Sequence, residues 1–304
     1  NWMLAGADWL IPLSDRLHEE LLTRDILHAD ETTLQVLQEP DRAATTDSYL
    51  WLYRSGRDGP PIVLFEYQPT RAGAHPQAFL RGFTGYLHAD GYAGYDTVPG
   101  VTLVGCWAHA RRKFTDALAA LPAAARAPGQ SPPAAQTGLD FCNRLFAIER
   151  DLHDATPADR RAGRLQRSRP VLNALHAWLE QQADRVLPKS ALGQAITYGR
   201  RQWPKLTVFL EDGRLELDNN RSERSIKPFV IGRKNWLFAN TPNGATASAV
   251  IYSLVETAKE NGLAPLAYLT YLFEHLPTLT TSQLDTVFPW ADAVQAVCAV
   301  PHRP

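Results

Sequence analysis

A mixed α/β sheet covered by helices on both faces is the architecture this sequence predicts, on three observations. Three strand-like runs come first, and strand and helix then alternate. A long stretch without strand patterning follows. The hydrophobic content of 45% belongs to a globular chain rather than a disordered or fibrous one.

The elements follow in order. Residues 8–25 set Trp9, Leu10, Leu13, Leu17, Leu21 and Leu22 at helical spacing among charges, an amphipathic helix. Asp25–Leu37 alternates and is rich in Thr and Val. Tyr49–Tyr53 is short and aromatic, and ends at the turn Ser55-Gly56-Arg57-Asp58-Gly59-Pro60. Ile62–Tyr67 is a β-branched and aromatic run. His75–Thr84 reads as a helix, Gly85–Asp90 and Val101–Cys106 as strands, and a helix opening Ala108-His-Ala-Arg-Arg-Lys-Phe follows. Residues 121–137 form a Pro/Ala loop. Residues 139–200 carry two helical stripes: Leu139, Cys142, Leu145, Phe146 and Leu152, then Leu172, Leu175, Trp178 and Leu179. They read as a helical insertion. Between 246 and 276 two apolar helices are divided by a C-cap signal at Asn261-Gly262. The expected division is therefore an N-terminal helical segment (1–24), a first core part (25–120), the loop and insertion (121–200), the remainder of the core (201–277) and an irregular tail (278–304).

Composition narrows the function classes. With 31 Lys+Arg against 32 Asp+Glu the net charge is −1, which argues against a chain wrapped in polyanion all over but leaves room for local basic patches. No uninterrupted apolar run approaches the roughly 18–20 residues of a membrane span, and no charged-then-apolar leader opens the chain. Three scattered cysteines make no disulfide framework, which fits a reducing cytoplasm. The sequence opens in mid-pattern and its one methionine is Met3, so a fragment or processed form is expected, with an N-terminal domain outside it.

Candidate chemistry concentrates in acids and bases. Leu-His-Ala-Asp occurs twice, at 27–30 and 87–90, each time closing a strand-like run. Strand alternation puts His28 with Asp30, and His88 with Asp90, on a common face, and open α/β sheets bind ligands at such strand ends. Either Asp could instead simply start a turn. A third carboxylate, Glu223, sits where Asn220 can cap a helix with Glu223 at the third position. Pro228 should stop or kink that helix early. Residues 200–236 hold nine Lys/Arg and five Asp/Glu, an excess of four positive charges that suits a cation-and-phosphate site. Three carboxylates suit a hard cation such as Mg²⁺, which keeps water positions for phosphate oxygens, and two such ions can serve an in-line displacement. The second basic focus is Gly105–Thr115. Cys106 and His109 have zinc half-site spacing, but no second pair lies nearby in the sequence, and phosphate contact fits better.

The segments HADET (28–32), LHADGYAGY (87–95), GCWAHARRKF (105–114) and DNNRSERSIKPFVIGRKNWLFA (218–239), together with the helices of 252–277, resemble the transposase family of insertion sequence 66 over about residues 8–290. The resemblance implies a ribonuclease-H-like core with a DDE active site. Asp30 would be the first acid, Asp90 the second and Glu223 the third, all three holding two Mg²⁺ or Mn²⁺ ions. The activity implied is cleavage at transposon ends and strand transfer into target DNA. DNA contacts are expected from His109, Arg111, Arg112, Lys113, Arg221, Arg224, Lys227, Arg233 and Lys234. A homo-oligomer on DNA in the bacterial cytoplasm, near the nucleoid and away from membranes, is also implied. Family members carry a zinc-binding and coiled-coil region ahead of this domain that this sequence lacks. Two rival readings are a ribonuclease-H-like nuclease that does not transpose and a domesticated DNA-binding protein with structural acids. A glycosidase on two of the carboxylates is disfavoured by the basic density around Glu223.

Overall fold

The computed structural model describes residues 2–122 and 133–301. Residues 123–132 of the expected Pro/Ala loop and the last three residues lie outside the described part. A mixed five-stranded sheet has the order β3-β2-β1-β4-β5, formed by β1 (Ile26–Gln35), β2 (Asp47–Ser55), β3 (Val63–Gln68), β4 (Tyr86–Ala89) and β5 (Thr102–Gly105). By its internal contacts the chain divides into two compact units: Asn1–Leu87, Tyr92–Thr102 and Arg221–Pro304 form one, and His88–Gly91 with Leu103–Asn220 the other.

In the first unit β1, β2 and β3 run antiparallel, with Asp30 opposite Leu52 and Leu52 opposite Phe65. Side chains alternate, so one face carries His28, Asp30, Thr32 and Leu34 on β1, Leu50, Leu52 and Arg54 on β2, and Val63 and Phe65 on β3. This face packs against α8 (Asn220–Trp236) and α9 (Pro242–Glu260) in a core of Leu34, Val36, Leu50, Leu52, Val63, Phe65, Ile226, Phe229, Ala245 and Ala249. On the other face Phe79, the last residue of α2 (Ala74–Phe79), stacks on Tyr53 with ring centroids 3.8 Å apart. The outer edge of β3 is not left open. The Val63 and Phe65 N–H groups donate to the hydroxyls of Thr257 (3.0 Å) and Ser253 (2.8 Å) on α9, and Thr257 returns a bond to the Val63 carbonyl. α1 (Trp2–Leu22) lies against α9, burying Leu10, Leu13, Leu17 and Leu21.

α10 (Pro265–His275) follows α9 after Gly262, whose φ of +74° supplies the left-handed residue that ends a helix. The tail expected to be irregular holds two 3₁₀ turns (Leu276–Thr278 and Thr281–Val287) and α11 (Asp292–Cys298), which buries Val294 and Cys298. Its apolar residues are too sparse to show a period, and packing decides its shape.

The second unit contains α3 (Trp107–Ala119), α4 (Ala134–Asp151), α5 (Pro157–Gly163), α6 (Arg169–Ala183) and α7 (Ala191–Leu206), and α4 to α7 cover most of the stretch read as helical. Its pivot is Arg164, 1% exposed. It pairs with both oxygens of Glu149 (2.8 and 2.7 Å) and donates to the carbonyls of Phe209, Asp212 and Leu215. So many acceptors offset the cost of burying a guanidinium. Among the described residues no helix is long and apolar enough to cross a membrane.

Candidate active site

Asp30 sits in the middle of β1, half-buried, on the face that α8 and α9 cover, and its Oδ1 accepts from the Glu31 N–H at 2.9 Å. Glu223 lies in the first turn of α8, on the helix that covers that face. α8 is tied down along β1. Arg233 Nη1 donates to the hydroxyls of Thr32 (3.1 Å) and Thr33 (3.2 Å), and beyond the helix Ala239 bridges to Val36. The expectation of a short helix stopped by Pro228 is corrected, because α8 runs on to Trp236. Burial of Ile226 and Phe229, with Phe229 edge-on to Trp236 and Tyr252 at 5.2 Å each, stabilises the turns around the proline. The capping expectation also shifts. Asn220 is the first helical residue, and Asp218 accepts from its backbone N–H (3.0 Å) and its side-chain amide (2.7 Å).

The first turns of α8 meet Arg54, which sequence reasoning missed. Its side chain is 1% exposed. The guanidinium donates to both oxygens of Glu260 at 3.1 Å, to the Ser225 hydroxyl and to the Arg221 carbonyl (3.4 Å). A charged residue at an inward position of a strand was the available signal, since unexplained burial of charge marks a tie or a site.

One residue from Asp30, on the opposite face, Glu31 has a different setting. Its side chain is 2% exposed, and it accepts from Arg71 (Nε, 2.8 Å) and from the Tyr95 hydroxyl (2.6 Å). Trp51, its cross-strand partner, stands edge-on to Tyr95 at 5.9 Å and is paired on its other side with Glu66. Burial pushes the Glu66 carboxyl up to about 7, against a weaker opposing hydrogen bond from Gln68.

In the second unit Asp90 directly follows β4. The turn after it is held by α7: the Tyr198 hydroxyl donates to the Asp90 carbonyl (3.1 Å) and Gln202 to the Gly91 carbonyl (3.4 Å). Gly91 has φ +95°, which favours glycine, and a Cβ there would press on the Gln202 amide at 3.1 Å. The His88 ring nitrogen Nε2 accepts from the Glu216 N–H (3.4 Å), and Cys106 Sγ from the Asn219 N–H (3.2 Å). Burial pushes the Cys106 thiol up to about 12. On α3, Arg111, Arg112 and Lys113 are exposed and His109 is half-buried. On α8, Arg224, Lys227 and Lys234 are exposed at positions that share one side of the helix, while Arg221 and Arg233 are half-buried.

Comparison with known proteins places the chain in a family. The family model described as "Transposase IS66 family" matches residues 1–247, and the "IS66 C-terminal element" matches 253–290. The chain belongs to the IS66 transposase family. Similar curated proteins include three uncharacterized proteins of Sinorhizobium fredii (strain NBRC 101917 / NGR234). The protein y4jD is 33% identical over 95% of this chain and 58% of its own length, y4qI 31% over 95% and 55%, and y4hP 30% over 92% and 53%. The chain thus spans little more than half the length of these relatives. No solved structure matches it. Both segments that hold Asp30 and Glu223, and the one that holds Asp90, fall inside the matched IS66 region.

Proposed function

We propose that this chain is the catalytic part of a DDE-type DNA transposase, with Asp30, Asp90 and Glu223 as its acids. The observation that carries the reading is that the helix bearing Glu223 packs on the sheet face bearing Asp30, and presents Arg224, Lys227 and Lys234 to solvent. The donor set fits a hard divalent cation, since all three side chains offer carboxylate oxygen. Asp30, Asp90 and Glu223 would hold two Mg²⁺ or Mn²⁺ ions. When bound, such ions lower the pKa of the attacking oxygen and stabilise the leaving one.

The chain's own residues supply the rest. Exposed Arg111, Arg112 and Lys113 on α3 and Arg224, Lys227 and Lys234 on α8 hold the phosphate backbone, together with half-buried His109, Arg221 and Arg233. Water attacks the phosphodiester at the transposon end and releases a 3′-hydroxyl. That hydroxyl then attacks a target phosphodiester, one bond forming as one breaks. Positioning and charge stabilisation dominate such a reaction. The whole protein would act as a homo-oligomer on two DNA ends, in the cytoplasm at the nucleoid.

The test is metal-dependent nicking of supercoiled plasmid by Asp30→Asn, Asp90→Asn and Glu223→Gln. Each should lose on the order of 10²–10³-fold in rate while melting and binding DNA like the parent. Parental nicking by any one removes that residue from the site. Strand transfer from a pre-cut end separates a transposase from a nuclease, and salt-sensitive binding without any nicking would leave only a DNA-binding protein.

A further inference from the structure

We infer that Arg54 is a positioning residue that sets the place of Glu223, through a clamp on the first turns of α8. The inference rests on the active-site reading above and names how its third acid is held.

The need for a clamp comes from the sequence of α8 itself. Pro228 has no N–H, so the Arg224 carbonyl loses its helical partner four residues on, and the pyrrolidine ring crowds that carbonyl. The turn holding Glu223 is therefore the least self-supported part of the helix. On the C-terminal side of Pro228, Phe229 is fully buried and Arg233 is tied to Thr32 and Thr33. On the N-terminal side Arg54 reaches across from the sheet. Its Nη1 reaches the Ser225 hydroxyl and the Arg221 carbonyl, one residue of the pair on each side of Glu223 along the chain, and Ser225 also donates to that carbonyl. The guanidinium is fixed in turn by Glu260 at the end of α9, through both oxygens.

The location argues for positioning over stability. Arg54 lies on the inward face, flanked across the strands by His28 and Val63 and preceded on the same face of its own strand by Leu52. An apolar residue there would extend the core, and replacing a buried ion pair with apolar side chains is often neutral or stabilising. What a methionine cannot do is hold both the Arg221 carbonyl and the Ser225 hydroxyl of α8 in place. The pair with Glu260 is bidentate, which fixes the orientation of the guanidinium as well as its place. A lysine could keep the charge but not the fork.

The experiment compares Arg54→Met, Arg54→Lys, Glu260→Gln and Glu223→Gln with the parent chain by three readouts: amide hydrogen exchange in residues 221–227, binding of Mn²⁺ alone, and plasmid nicking. Arg54→Met should speed exchange in that segment, weaken Mn²⁺ binding about 10-fold and slow nicking about 10²-fold, with melting temperature and salt-dependent DNA binding near parental. Arg54→Lys should fall between. Parental exchange, Mn²⁺ affinity and nicking in Arg54→Met, beside an inactive Glu223→Gln, overturn the inference alone. Parental nicking in Glu223→Gln overturns the active-site reading and the inference with it. If Arg54→Met fails to fold, Glu260→Gln decides, because its carboxyl group is partly exposed and the substitution is mild. Faster exchange at 221–227 with weaker Mn²⁺ binding supports the clamp, and parental values for both assign Arg54 to stability only.

Discussion

Asp30 and Glu31 are adjacent acids on one strand, and the two faces of the sheet give them opposite settings. Glu31 is almost fully buried, and Arg71 and Tyr95 donate to both of its oxygens. Asp30 is half-buried beneath the helix that carries Glu223. A carboxylate whose acceptor sites are filled by protein donors holds structure together. One on the face covered by the helix that bears another acid suits the proposed cation site. Chemical type alone does not separate the two, and strand alternation does.

Substitution of the two acids gives the widest contrast. Asp30→Asn should stop metal-dependent nicking and leave the melting temperature within a few degrees of the parent. Glu31→Gln should behave the other way, losing about 2 kcal/mol of stability as the charge-assisted bonds to Arg71 and Tyr95 weaken, with nicking reduced far less. Chemical denaturation and plasmid nicking on the same samples read both. A stable, inactive Glu31→Gln would erase the distinction.

A second contrast lies along the Glu31 face. Glu66 has its carboxyl raised to about 7 by burial, so the folded state favours its neutral form. The unfolded chain ionises near the ordinary value, binds fewer protons between the two, and stability therefore falls as pH rises from about 4.5 toward 7 and levels above it. Part of the side chain keeps solvent contact, which limits the loss to about 2 kcal/mol. Glu66→Gln should remove that slope in denaturation series between pH 5 and 8. An unchanged slope would mean that Glu66 does not control it.

The smallest expected effect is at Pro228. Pro228→Ala restores an N–H for the Arg224 carbonyl and should raise stability by about 1 kcal/mol. It should also make nicking less sensitive to Arg54→Met, since the first turn of α8 would then support itself. Strictly additive losses in the double variant would show that the proline and the arginine act on different things.

Much of the site was legible in the residues. The second Leu-His-Ala-Asp closes β4 as expected, whereas the first lies inside β1, which pairing with β2 carries on to Gln35. The basic run around Glu223 marked a helix, because helical spacing is a local property. Arg54 and the Arg71–Tyr95 pair escaped notice because their partners stand far off in the chain: Glu260 is 206 residues from Arg54, and Tyr95 is 64 from Glu31. Pro228 misled for a related reason. A proline lowers the local helical preference, but Ile226 and Phe229 gain more by burial in the sheet core than the missing hydrogen bond costs.

The order of strands and helices, the insertion and the membership of the IS66 family are written in near-neighbour patterns, which short stretches of chain express without help. Which of two adjacent acids turns toward the helix bearing Glu223, whether that helix outlasts its proline, and which cation steadies its first turn were decided in three dimensions. Each depends on pairing and burial between segments that only folding brings side by side.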